Sequence, residues 1–256
     1  MNIKNLSPTL ILHLKAAGDL LLPRKCIVCG RKLILYEKHL CIHCMADLPL
    51  TRFWNWSHNP MADKFNDVLE KSLAEAFDHG DKRQERYAYA CALFFYDTEG
   101  EYRQIPQQIK YLGNIPAGKH FGRMLGHKLT ESSLFQDVDC IIPVPLHWRR
   151  KWKRGYNQAE VIAEGISSVM KVPLRTDVLK RTRNTRTQTR LDVESKGRNV
   201  KGAFEANDVL KNCWHILLVD DIFTTGATLH ACFEALREHI PGEVRISVAT
   251  LGFVGH

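Results

Sequence analysis

No run in this 256-residue sequence approaches the roughly 18–20 uninterrupted apolar residues that a membrane-spanning helix needs. The most apolar early stretch, residues 10–22, is broken by His13, Lys15 and Asp19. It also lacks the basic start, continuous apolar centre and small-residue exit of a secretory signal, so it reads as an amphipathic helix. The expectation is no membrane span and a cytoplasmic location. Internal repeats and low-complexity tracts are absent as well. With 45% hydrophobic and 25% charged residues, an ordinary globular chain remains: one full core plus a small appendage.

Acidic residues are scarce in one place. Residues 149–201 hold 15 Lys/Arg against five Asp/Glu, whereas the rest of the chain nets −2 out of a total of +8. A field concentrated in this way points to a polyanionic ligand, a pyrophosphate or a nucleic acid or both. The plainer alternative is a solvated surface that happens to be basic.

Eight cysteines divide into two groups. Cys91, Cys140, Cys213 and Cys232 are scattered singly and read as inert core thiols of a reducing compartment. Cys26/Cys29 and Cys41/Cys44 form C-x2-C-x11-C-x2-C, in which each pair can clamp one side of a tetrahedron. Gly30 suits a knuckle turn. Four thiolates fill the coordination shell, so a bound zinc is expected to be structural; His39 and His43 lie near enough to substitute. Disulfides are the alternative. Lys25, Arg31, Lys32 and Lys38 make this segment basic enough to touch nucleic acid, and surface solvation explains them equally well.

Four regions are expected along the chain: the lead over 1–22, the cysteine pairs over 23–50, a linker over 51–62 whose Trp54 and Trp56 dock onto the body, and an α/β body over 63–256. Within the body, strands are predicted at 91–96, 139–144, 216–219 and 244–251. Helices are predicted at 100–111, 115–130, 157–170 and 228–239, the first two split by Gly113-Asn114. Strands alternating with helices imply an α/β fold with a mostly parallel sheet flanked by helices.

The segment ILLVDDIFTTGATL, residues 216–229, carries the most specific chemistry. Four apolar residues suit a central parallel strand. Asp220 and Asp221 stand at its carboxyl end, where open α/β sheets bind ligands. In Thr224-Thr225-Gly226-Ala227-Thr228, small and hydroxyl residues let backbone N–H groups approach an anion, and a helix start adds partial positive charge. The acids cannot favour a phosphate, so they are assigned to ribose hydroxyls or to a magnesium that touches them. A strand cap followed by a mere turn would need neither the acids nor three threonines. The Gly-Lys-Ser/Thr ending of a nucleotide P-loop is missing, and one glycine stands where a dinucleotide fingerprint has three.

This segment resembles the motif of type I phosphoribosyltransferases that binds phosphoribosyl pyrophosphate (PRPP). The rest of the chain is similar to the ComF family, associated with DNA uptake in natural competence. Carrying the resemblance are the cysteine pairs, the residues PVPLH at 143–147 and RGYNQA at 154–159, Thr187-Gln188, Leu191, RNV at 198–200 and GAF at 202–204. Tyr156 departs conservatively from the Phe that family members often have.

The resemblance implies a type I phosphoribosyltransferase-like fold with a small N-terminal zinc-binding module. It places the strand-to-helix turn HWRRKWKR, residues 147–154, on the pyrophosphate side of the ligand, with Arg149, Arg150, Lys153 and above all Arg154 as candidates. Trp148 and Trp152 alternate with these cations, an arrangement suited to stacking single-stranded bases; alternatively the tryptophans pack against the body. It also implies that residues 180–190, KRTRNTRTQTR, form a mobile loop closing over PRPP. Arg183, Arg186 and Arg190 are its candidates, with Gln188 as hydrogen-bonding partner and a loop binding nothing as the rival. Lys110 is added as a weaker candidate, from the family's recurrent Lys followed by a Gly nearby.

The function implied is a PRPP-binding protein of DNA uptake that holds single-stranded DNA, with DNA-uptake proteins as further partners. The alternative is an active magnesium-dependent phosphoribosyltransferase moving ribose 5-phosphate from PRPP to a nitrogen acceptor with release of pyrophosphate. No residue is identifiable as its general base. A third reading, a module that keeps the fold without ligand binding, is opposed by the intact loop.

Overall fold

Apolar runs bounded by turn residues become a parallel sheet in the computed structural model, which describes residues 23–78, 85–183, 202–207 and 213–255. Four strands, β1 (Ala90–Phe95), β2 (Cys140–Pro143), β5 (His215–Phe223) and β6 (Arg245–Phe253), lie in the order β1-β6-β5-β2. Every pairing among them is parallel. Two short strands, β3 (Leu179–Arg181) and β4 (Phe204–Ala206), make a separate antiparallel ribbon. Residues 215–219 of β5 are buried without alternation, the signature of a strand covered on both faces.

The covers are helices. On one side α4 (Ile115–Thr130) and α6 (Gln158–Met170) pack against each other and the sheet. Their closeness comes from glycine: a Cβ at Gly122 would sit 2.3 Å from the Ile162 carbonyl oxygen, and one at Gly165 would sit 2.6 Å from that of Lys119. Lys119 and Glu164 then pair across the seam at 2.6 Å. The other cover is α2 (Pro60–Asp78) with α7 (Ala227–Arg237). Phe65 of α2 meets Phe223 and Phe233 edge-on at 6.3 and 6.1 Å, a geometry aromatic pairs favour.

The segment between the cysteines and α2 is built into the body. Leu50 bridges Phe94 in antiparallel sense, and the N–H groups of Phe95 and Thr51 donate to Pro49 and Leu93. The open edge of β1 is thereby covered, as exposed strand edges require. Trp54 is buried as expected, but Trp56 is 58% exposed; only the first tryptophan of the pair docks. The expected lead over 1–22 lies outside the described residues. Among the described residues, no helix is long and apolar enough to cross a membrane.

Two expectations need correction. The strand predicted at 216–219 runs on to Phe223, because Asp220, Ile222 and Phe223 continue the ladder with Thr250, Gly252 and Phe253 of β6. Residues 148–154 are no simple turn: they wind into α5 (Trp148–Arg154), capped by His147 and stopped by Gly155 at φ 84°. A run of good helix formers follows a capping side chain there, and only the left-handed glycine ends it.

Candidate functional site

The extension of β5 decides how the two acids are presented. Successive residues of a strand face opposite sides, so Asp220 and Asp221 diverge. Asp220 joins Ile222 and residues 223–229 in lining a small cavity at the mouth of the threonine loop. Asp221 is 8% exposed and turns away. Its Oδ2 lies 3.8 Å from Lys110 Nζ and 3.4 Å from the Gln158 amide nitrogen.

Gly226 shapes the loop. It holds φ 77°, and a Cβ there would meet the Phe223 ring at 2.9 Å. From this left-handed residue α7 starts directly, presenting the first-turn N–H groups that have no intrahelical acceptor. Thr224 is exposed, while Thr225, Ala227 and Thr228 are partly so. The Thr225 hydroxyl receives the Ala227 N–H at 3.5 Å. Backbone donors, hydroxyls and a helix start thus surround one small hollow, an arrangement suited to a phosphate.

The residues RGYNQA, 154–159, hold the second wall. Gly155 stops α5. The Tyr156 hydroxyl donates to the Ile109 carbonyl at the base of Lys110. Asn157 caps α6 by accepting from Ala159 and ties it to the residue just after β2 by donating to the Val144 carbonyl at 2.9 Å. Gln158 accepts from Arg154 while its amide faces Asp221. One chain of contacts therefore runs from Arg154 through Gln158 and Asp221 to Lys110, the last residue but one of α3 (Gln104–Tyr111).

Electrostatics separate the two acids further. Asp220 keeps partial solvent exposure, yet protein crowds its carboxyl. Burial first, and then the charge of Asp221, push it up to about 8, against smaller opposing contributions from a backbone N–H, Lys110 and Arg181. A carboxylate held this way favours a cation close by. Arg181, on β3, is itself lowered by burial and by Arg150. Sequence reasoning quoted Gln158 only within a motif and did not single out Arg181, whose signal was its place in the basic run beside Lys180.

Other expected residues distribute unevenly. Arg149 and Lys153 sit on α5, with the Arg149 guanidinium 5.1 Å from the Trp148 ring centre. Trp148 and Trp152 are 65% and 87% exposed, so they do not pack against the body. Arg183 is exposed beyond β3. Arg186, Gln188 and Arg190 lie outside the described residues.

At the N-terminal end, the Sγ atoms of Cys26, Cys29, Cys41 and Cys44, the last on the short helix α1 (Ile42–Ala46), all lie within 4.8 Å of one another. Cys29 Sγ and Cys41 Sγ are 3.7 Å apart. A tetrahedron with metal–sulfur bonds of about 2.3 Å has edges of about 3.8 Å, so the cluster could hold a zinc ion. Gly30 turns the first knuckle at φ 69°, and its N–H donates to Cys26. Burial raises the Cys26 thiol, but N–H groups of Cys29, Cys41 and Val28 outweigh it and bring the group down to about 7. None of the eight cysteines is in a disulfide. Tyr102 anchors the cluster to the body by donating to the Cys44 carbonyl at 3.0 Å.

A parallel sheet ending in an acid pair and a threonine-glycine loop at a helix start is the architecture of a phosphoribosyltransferase-type domain. Residues 157–251 match the family described as phosphoribosyl transferase domain. The chain is 37% identical over 111 residues to Competence protein F of Haemophilus influenzae, 42% of this chain and 48% of that protein. It is 36% identical over 91 residues to DNA utilization protein YhgH of Escherichia coli K12, covering 36% and 40% of the two chains. With Competence protein ComFC of Bacillus subtilis the identity is 31% over 114 residues, or 43% of each. These similarities support the resemblance to the ComF family. In each case the match spans less than half of the relative's own length.

Proposed function

We propose that this chain is a PRPP-binding protein of DNA uptake and natural transformation that also binds single-stranded DNA. In this reading residues 23–50 are a zinc module and 63–256 the phosphoribosyltransferase-like body. The observation that carries it is the hollow at the end of β5, where Asp220 and the loop from Thr224 to Thr228 face one small space. Thr224, Thr225, Gly226, Ala227 and Thr228 would take the 5-phosphate. Asp220 would take the ribose hydroxyls and any magnesium that accompanies PRPP; the two diverging acids then have separate duties. Asp221 would act on Lys110, Gln158 and, through Gln158, on Arg154, setting cations on the pyrophosphate side. Relatives named for competence and DNA utilization support the cellular role, and the exposed tryptophans and cations of α5 support the DNA-binding part.

Calorimetry with magnesium and PRPP tests the loop. Asp220→Asn combined with Asp221→Asn is expected to abolish binding in a protein that still melts cooperatively. Unchanged affinity would sink the assignment. The transferase alternative rests on the same hollow and on Lys110 beside Asp221. A pyrophosphate-release assay with PRPP over nucleobases, ammonia and single-stranded DNA separates the two: acceptor-dependent release makes the chain an enzyme, and silence leaves a binding protein.

A further inference from the structure

A second concavity lies away from the threonine loop, between the cysteine cluster and the start of α4. It encloses about 410 Å3, within the roughly 300–1,000 Å3 of small-molecule sites. It is lined by the apolar side chains of Ile27, Leu33 and Pro116, by His39 and Asn114, and by the cations Arg24, Lys25 and Lys38. Among the described residues, no carboxylate lines it. Arg24 is tied to the carbonyls of Glu37 and Ile34, which fixes a positive charge in the lining. Lys25 and Lys38 are exposed and stand on backbone bridges to Lys32 and Leu40. Apolar side chains, an imidazole and three cations lining one cleft fit a base with its phosphates better than a free inorganic anion.

The cleft and the other basic surface are linked by the short segment that follows α3. Asn114, which lines the cleft, follows Tyr111 and Leu112, which are 69% and 70% exposed at the end of α3. The Tyr111 ring has Arg154 on one approach and Lys110 on another, both 5.8 Å from its centre. Beyond Arg154 lie the exposed tryptophans of α5. Exposed aromatic faces alternating with cations are what a single strand requires: stacking platforms with phosphate neutralisation between them.

We propose that the cleft between the cysteine module and α4 holds one nucleotide of a single-stranded DNA whose neighbouring bases stack on Tyr111 and on Trp152. This rests on the DNA-binding part of the function proposed above and gives that strand a path past the rim of the PRPP loop.

The test is anisotropy of a labelled oligo-dT of about 15 nucleotides titrated with the full chain across a range of salt. Lys25→Gln with Lys38→Gln should weaken binding tenfold or more. It should also flatten the salt slope by about 1.4, since each neutralised single-strand phosphate contributes about 0.7. Tyr111→Ala should weaken binding about tenfold, with Tyr111→Phe restoring it, because stacking needs the ring and not the hydroxyl. Tyr111 lies outside the cysteine module, so this pair decides the matter if the lysine variants lose metal. Wild-type binding with an unchanged slope and an indifferent Tyr111 would overturn the cleft but leave DNA binding standing. That outcome would fit a cleft covered by another part of this chain. No binding by the wild type would remove both readings.

Discussion

At the scale of single residues, the role proposed for Asp220 would set function against stability. Its carboxyl is pushed up to about 8 by burial and by Asp221, whereas an unfolded aspartate titrates near 3.9. Between about pH 4 and 8 the folded protein therefore holds a proton that the unfolded chain has released. Its contribution to stability falls as pH rises through that window. Asp220→Asn removes the penalty. Without ligand, the variant is expected to melt above the wild type at pH 8, with the two converging near pH 4. Magnesium–PRPP affinity should be lost at the same time. A thermal scan in which the variant melts lower at pH 8 would contradict this account of the site.

Among the elements, the seam between α4 and α6 places the site. Gly122 and Gly165 let backbone touch backbone, and the first residue of α6 is Gln158, whose amide faces Asp221. A methyl group at Gly122 would strike the Ile162 carbonyl, which cannot rotate away as a side chain does. Gly122→Ala is expected to destabilise the fold by about 3 kcal/mol, read as a lower denaturation midpoint in urea. An unchanged midpoint would mean that the helices tolerate a wider spacing. The α5 helix makes the complementary point. Its seven residues bury no side chain, so surface substitutions there should change binding more than folding.

For the whole molecule, the cysteine cluster matters because it is not a detachable appendage. Leu33, Leu40 and Leu48 share one buried cluster with the sheet, and residues 49–51 complete the β1 edge. A metal in the four-thiolate site would therefore brace more than its own loop. Metal analysis is expected to return one zinc per chain. Removal by a chelator should lower the melting temperature of the whole protein, a loss of several kcal/mol being in the range of structural zinc. Chelation that leaves the main transition untouched would place the cluster outside the cooperative unit.

The sequence by itself determined the parallel α/β architecture, the four-cysteine cluster and the place of the threonine-glycine loop between a strand and a helix. These rest on local signals: buried strands such as 216–219 are apolar in unbroken runs, C-x2-C pairs have one common geometry, and Gly226 occupies a backbone angle that other residues resist. Tertiary structure alone decided what depends on partners distant in the chain. Ladder bonds from β6 carried β5 past its acids, so Asp220 and Asp221 face opposite ways. Packing through paired glycines brought Gln158 to Asp221, while Lys110 arrived from a third helix. The cleft beside α4 exists only because the cysteine module folds back against residues some 75–90 positions later. No pattern in either segment announces it, since burial and charge summation across a fold are properties of proximity and not of order along the chain.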